Sequence, residues 1–397
     1  MVRSIPARIN PDMLVWARET ARVSLTNAAQ RLEVTESQLY GWENGEPGLT
    51  IAKLQKVAEV YRRPLAAFFL SARPDVPERV RDFRRLPDTP ESWGPNLASE
   101  LRRAEQQRDA VVELLDLRNE PARSLWKSPS TAPAEDLTEE ARLLLTRNSL
   151  APRPTASSKP TDWFFFWSSA LEEVGVLVVT MNRVNPSEAR GFSIADDEVP
   201  VIAVNGSEHF NGRIFTLLHE YAHLLLNTSG LCDLHETRSG TRDQDSIEVE
   251  CNRLAAEMLV PSKAFSKRSL LVHSDAVEND WPLGLLIDEG RFWGVSPEVI
   301  LRKLVDTGRA SRHFYQQWRD DTTPRDQEET WHAKTARKSG GDGLRTKVRN
   351  LGKGYVRLVV GTYNEGLLST YETANLLSSK TNAIPKLLAR AGAVESD

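Results

Sequence analysis

The sequence predicts a multidomain α+β protein: an all-α five-helix module at the amino terminus, a mainly helical central domain with a small β-sheet, and a helical carboxy-terminal region. Three observations carry this reading. Five short helical patterns, each with a capping or stop signal, crowd into residues 10 to 70. Two valine-rich runs of strand length lie at 174–180 and 199–204, and helical periodicity returns after about residue 263 and continues to Leu304. A chain of 397 residues is long enough for two or three such domains.

In the first module, residues 1–73, Pro11 to Arg22 places Leu14, Ala17 and Ala21 on one face. Ser24 can cap a second helix that turns Ala28, Ala29 and Leu32 inward, and Thr35 can cap a third carrying Leu39 and Trp42. Gly45, Pro47 and Gly48 stop it. A fourth starts at Thr50 with Leu54, Val57 and Ala58 inward, and Pro64 begins a fifth ending near Leu70. Five prolines and several arginines between 73 and 96 read as an extended linker, and an amphipathic helix follows from Asn96 to about Asn119, so 74–134 is linker and helix. The central domain, 135–310, holds the two strands, a helix over 212–226 and another over 246–260 closed by Pro261. Residues 311–397 form a carboxy-terminal region of unassigned role, basic and glycine-containing between Lys334 and Lys353.

Composition narrows the function classes. Lys+Arg number 51 against 55 Asp+Glu, a formal charge of -4, which leaves no global electrostatic case for nucleic-acid binding. No apolar run approaches the roughly 18 residues of a membrane helix, and residues 1–10 carry no secretory apolar stretch, so the expected location is cytoplasmic, with no membrane partner. Two cysteines, Cys232 and Cys251, exclude a disulfide framework but leave one bridge open.

The run His219-Glu220-Tyr221-Ala222-His223 carries the most chemistry. On a helix the two histidines stand four residues apart, so both imidazoles leave one face and can hold one metal ion, while Glu220 reaches a bound water without coordinating the ion. Ile214, Phe215, Leu217, Leu218, Ala222, Leu224 and Leu225 make this helix apolar nearly all round, so its charged groups need buried partners. A catalytic zinc site of this kind needs a third ligand. The positions of a glycine and third histidine further along are taken by Leu226 and Ser229, which removes that source. On the second helix Ile247, Cys251, Leu254, Ala255 and Met258 form the core face, Glu248 lies on its shoulder, and Glu250 turns toward Arg253 and Glu257, so Glu248 is the expected ligand. Asn252, on the same face, is placed to hydrogen-bond an imidazole N–H. Cys251 reads as a small core residue, with a redox or metal-coupled role as the other reading.

Residues 135–310 resemble the ImmA/IrrE-type metallopeptidases. The resemblance rests on Glu172-Glu-Val-Gly-Val-Leu-Val178, Gly191-Phe-Ser193, Pro200-Val-Ile-Ala-Val-Asn205, Gly212 through His223, and Glu248 through Pro261. It implies zinc, or manganese, held by His219, His223 and Glu248, with Glu220 as general base and peptide hydrolysis as the reaction. The ion would lower the pKa of its water toward about 7. A further donor to the oxyanion is expected, with Tyr221, His209 and His235 as alternatives.

Residues 14–70 resemble the XRE family of Cro/cI-type helix-turn-helix domains, through Ala28-Ala-Gln-Arg-Leu-Glu-Val-Thr35 and Glu36-Ser-Gln-Leu-Tyr-Gly-Trp-Glu-Asn-Gly45. The second stretch is then the recognition helix, with Thr35, Ser37, Gln38 and Tyr40 as base-edge or phosphate contacts. Glu36 and Glu43 place negative charge on that helix and oppose phosphate contact. Together the two resemblances imply a zinc endopeptidase that regulates transcription by cleaving a helix-turn-helix repressor. The alternatives are a DNA-binding regulator whose peptidase-like domain senses metal or a ligand, and an antitoxin-type partner.

Overall fold

The computed structural model of the protein describes residues 5–74, 94–131, 133, 136–226, 230–232, 242–268, 281–322 and 343–387. The chain divides into two compact units, Met1–Arg103 and Ala104–Asp397.

The first unit contains α1 (Pro11–Thr20), α2 (Leu25–Leu32), α3 (Glu36–Glu43) and α4 (Ile51–Tyr61). The predicted fifth helix is a 3-10 segment, Leu65–Phe69. Each α-helix starts where a side-chain oxygen accepts an otherwise unpaired backbone N–H: Asn10 from Asp12, Ser24 from Asn27, Thr35 from Gln38 and Thr50 from Lys53. Leu14, Ala17, Ala28, Leu39, Leu54, Val57, Tyr61 and Phe68 meet in one core. Full burial of each large side chain contributes roughly 1.5–3 kcal/mol. Within it Arg18 donates twice to Glu43, at 2.7 and 3.0 Å, so the charge at the end of α3 is turned inward and neutralised. Glu43 therefore does not face a DNA backbone, a correction to the sequence expectation that leaves Glu36 as the exposed acid of α3.

The division between units falls within α5 (Pro95–Leu117). The second unit continues with α6 (Leu137–Asn148) and α7 (Pro160–Glu173), whose Trp163, Phe164, Phe166 and Trp167 are buried. Strands β1 (Leu177–Met181), β2 (Gly191–Ile194), β3 (Val201–Asn205) and β4 (Gly230–Cys232) form a sheet in the order β1-β3-β2-β4. β1 is parallel to β3, while β2 is antiparallel to β3 and to β4. The first strand starts later than the valine run because Val174 caps α7 and Gly175 turns the chain at φ 105°. A Cβ there would fall 1.8 Å from the Arg123 carbonyl oxygen, so only glycine fits. The sequence does not predict β2; four residues containing glycine and serine give too short an alternation to register.

Next come α8 (Phe210–Leu225), α9 (Arg242–Leu259), α10 (Ser262–Phe265), α11 (Leu283–Trp293), α12 (Pro297–Asp306) and α13 (Arg312–Thr322). The remaining described helices are α14 (Gly343–Leu351), α15 (Lys353–Asn364) and α16 (Thr370–Leu376). α14 and α15 pack against β1, one border of the sheet. Leu177 donates to Pro200 and Met181 accepts from Gly206, so the odd residues of β1 face β3 and the carbonyls of Val178 and Thr180 face outward. Gly352, at φ 90°, lies against the Val178 oxygen, where a Cβ would come within 2.2 Å, and the Asn182 amide donates to Thr180. The Gly354 N–H donates to Glu172 at 2.9 Å, Arg357 pairs with Glu173, and Lys353 stacks on Phe165. Lys347 donates to Ser379 at 2.9 Å. Lys353 and Arg357 thus tie α15 to α7, and Lys347 ties α14 to the segment after α16.

Candidate metal centre

α8 and α9 pack side by side, and the central core lines their facing surfaces: Leu217, Leu218, Ala222 and Leu225 from one, Cys251, Leu254, Ala255 and Met258 from the other. The 3.6-residue repeat sets His219 and His223 one turn apart at this contact, with His219 and Glu220 at 0% exposure. Glu248, one turn from Cys251, reaches the same point from α9 and keeps 37% of its side chain exposed.

The three donors converge. The His219 and His223 Nε2 atoms stand 3.2 Å apart, and the Glu248 carboxylate presents one oxygen to each imidazole at 3.3 Å. Donors bonded at about 2.0–2.1 Å to a tetrahedral cation would be separated by about 3.3 Å, the edge of that tetrahedron. The nitrogen pair and each nitrogen with its nearer carboxylate oxygen lie close to that spacing, one donor atom from each of the three residues lies within 4.8 Å of the others, and two nitrogen donors with one carboxylate fit a divalent cation such as zinc.

The electrostatics of the trio agree. Burial opposes charge on His223, yet its contacts with Cys251 and Glu248 and the nearby Glu220 carboxylate outweigh that and raise it to about 10. Burial likewise works to raise Glu248, but hydrogen bonds and charge from the two imidazoles outweigh it and hold the carboxyl at about 2. A positive charge among the two imidazoles and the carboxylate, a proton or a metal ion, is therefore favoured at this point.

Neighbouring groups fix the helix that bears these residues. Thr216 donates to Glu208 at 3.2 Å, Glu208 pairs with Arg190 at 3.5 Å, and Arg213 donates to the carbonyls of Glu208 and Gly206. Burial pushes the Glu208 carboxyl up, against the pull of Arg190, Thr216 and Arg213. Besides Glu248, the side chain that meets His223 from α9 is Cys251, whose thiol burial pushes up; Asn252 is half-buried and makes no hydrogen bond to either imidazole. Sequence reasoning reads Cys251 mainly as packing, and only its position one turn from Glu248 signals this contact.

Of the three alternatives for an oxyanion donor, the Tyr221 hydroxyl is buried and donates to the Trp126 carbonyl at 2.8 Å. His209 caps the far end of α8, ten residues and so about 15 Å from His219 along the axis. His235 lies outside the described residues. In the first unit, Thr35 and Gln38 close a reciprocal capping box at the start of α3, while Ser37 and Tyr40 stand exposed beside Glu36.

Two segments match known family models. Residues 171–305 match the IrrE N-terminal-like domain of peptidase family M78, and residues 14–68 match a helix-turn-helix domain. His219, Glu220, His223 and Glu248 all fall within the first segment, and α2 and α3 within the second. No curated protein and no solved structure matches the chain. Among the described residues no helix is long and apolar enough to cross a membrane.

Proposed function

We propose that the second unit is a zinc-dependent endopeptidase and that its helix-turn-helix partner brings it to transcriptional control, with a repressor of the helix-turn-helix class as substrate. The observation that carries the catalytic half is the convergence of two imidazole nitrogens 3.2 Å apart with a carboxylate that sets one oxygen 3.3 Å from each, beside a fully buried glutamate adjacent in sequence. His219, His223 and Glu248 would hold the ion. When bound, a divalent cation supplies Lewis acidity toward a water molecule and the scissile carbonyl.

The residues of the chain do the rest. Glu220, withdrawn from bulk solvent, takes a proton from the attacking water on its carboxylate and returns it to the leaving amine nitrogen. Glu248 keeps its outer side open, so a polypeptide can approach the centre from that direction. The α8–α9 contact holds the donors in place before substrate arrives. In the first unit the inward Arg18–Glu43 pair removes one acid from α3, and exposed Ser37 and Tyr40 are the side chains offered to base edges or phosphates, with Thr35 and Gln38 shaping the helix start.

The test compares purified wild type with Glu220→Gln and His219→Ala. Metal analysis should find one zinc per wild-type and Glu220→Gln chain and none in His219→Ala. Cleavage of co-expressed helix-turn-helix repressors should fall about 10²–10⁴-fold in Glu220→Gln. Undiminished cleavage in Glu220→Gln overturns the base assignment, and a metal-free wild type overturns the centre.

A further inference from the structure

β2 passes beneath α8, and its residues alternate between two faces. Gly191 faces α8: a Cβ built on it would come 2.5 Å from the Thr216 Cγ2, 2.8 Å from the Glu220 Oε1 and 3.0 Å from the Ala203 carbonyl oxygen. Its φ is not in the left-handed region, so space alone, and not backbone conformation, requires a glycine here. The Glu220 carboxylate is therefore turned into volume that any other residue at 191 would fill.

Ser193, two residues on, shares that face. It is 0% exposed, pairs in the sheet with Ile202 and Gly230, and its hydroxyl has no hydrogen-bond partner among the described residues. A buried hydroxyl without a partner is destabilising, so a group that accepts from it is expected nearby. α8 follows β3 after a short turn and runs back over the sheet, in the direction of the antiparallel β2. Two strand residues advance about 6.7 Å, or between four and five helical residues. Ser193 thus lies beneath the turn after Thr216, the turn that carries Glu220 and His223.

We propose that Gly191 and Ser193 are positioning residues for Glu220: the glycine leaves the space its carboxylate occupies, and the Ser193 hydroxyl donates to a carboxylate oxygen in the metal-loaded protein. The inference rests on Glu220 being the general base. Neither residue belongs to the ligand trio, so each can be changed with the donors intact. Gly191→Ala would displace the carboxylate; Ser193→Ala would release it.

The experiment uses the full chain loaded with Co²⁺, whose visible bands report the ionisation of the centre as pH is varied. Glu220→Gln should move the pH midpoint of the band change away from wild type. Gly191→Ala should move it in the same sense and at least half as far, and Ser193→Ala in the same sense by less. Both should still bind one Co²⁺, without the roughly 10- to 100-fold loss of affinity that follows damage to a ligand's support. The double variant Gly191→Ala/Thr216→Ser relieves the collision with Cγ2 while keeping the one with Glu220, so it reports the same quantity if the single variant does not fold. Wild-type midpoints in the Gly191 and Ser193 variants beside a shifted Glu220→Gln overturn the proposal, as does loss of Co²⁺ from them. A wild-type midpoint in Glu220→Gln instead overturns the base assignment itself.

Discussion

α8 and α3 carry the residues of most chemical interest in the two units, and they treat charge in opposite ways. α8 encloses His219, Glu220 and His223 in an apolar core, where their partners must come from the fold itself. α3 buries one acid, Glu43, against one base, Arg18, and leaves Ser37 and Tyr40 on the outside. A buried functional group therefore declares its chemistry through distances to neighbours, whereas an exposed one acquires meaning only from a ligand.

The largest effect is expected at Arg18, the base that pairs with the buried acid of α3. Arg18→Ala strands Glu43 in the core and should cost about 3–5 kcal/mol in chemical denaturation, while Arg18→Met with Glu43→Leu should recover most of it. A small loss in the single variant would mean that the α3 pair is not buried charge in the sense of α8.

Glu172 tests a carboxylate with neither an ion site nor a two-pronged arginine. Burial raises it to about 7, against the Gly354 N–H and Arg357, with Glu173 adding to the rise and Lys353 opposing it. The native state then holds its proton more tightly than the unfolded chain. Stability from this group is greatest below its ordinary value of 4.5 and falls as pH rises toward 7. Glu172→Gln should remove a pH-dependent loss on the order of 3 kcal/mol between about pH 4.5 and 8, measured by urea unfolding. A wild-type pH dependence in that variant assigns the slope to other groups.

Tyr221→Phe leaves the Trp126 carbonyl without its donor and should destabilise by about 1–3 kcal/mol with peptide hydrolysis unchanged. A fall in kcat at unchanged stability would return Tyr221 to the oxyanion. The smallest effect is expected on α3: after selection of a duplex from a random pool by the full chain, Ser37→Ala should weaken binding by about 1 kcal/mol. Failure to enrich any sequence would assign this face to a protein partner.

Much of this is legible in the sequence because the signals are periodic or capped. Ser24, Thr35 and Thr50 mark helix starts by chemistry local to a few residues, and the shoulder position of Glu248 follows from the spacing of Ile247, Cys251 and Leu254. What escapes depends on pairing across long separations. β2 is defined by its neighbours β3 and β4 and not by its four residues, so the approach of Gly191 to Glu220 is hidden with it. The inward turn of Glu43 likewise requires a partner 25 positions away. Tyr221 reads as a donor beside the centre until the carbonyl of Trp126 supplies its acceptor.

The contact between Gly352 and the Val178 oxygen gives the carboxy-terminal helices a protective duty. A strand whose outward carbonyls and amides stand open is a template for another chain to zip onto, and the valine-rich β1 would offer one. By seating a glycine turn and two helices on that margin, the protein commits a stretch of chain to freedom from self-association. A version ending at residue 311 should accordingly lose solubility before it loses its affinity for metal.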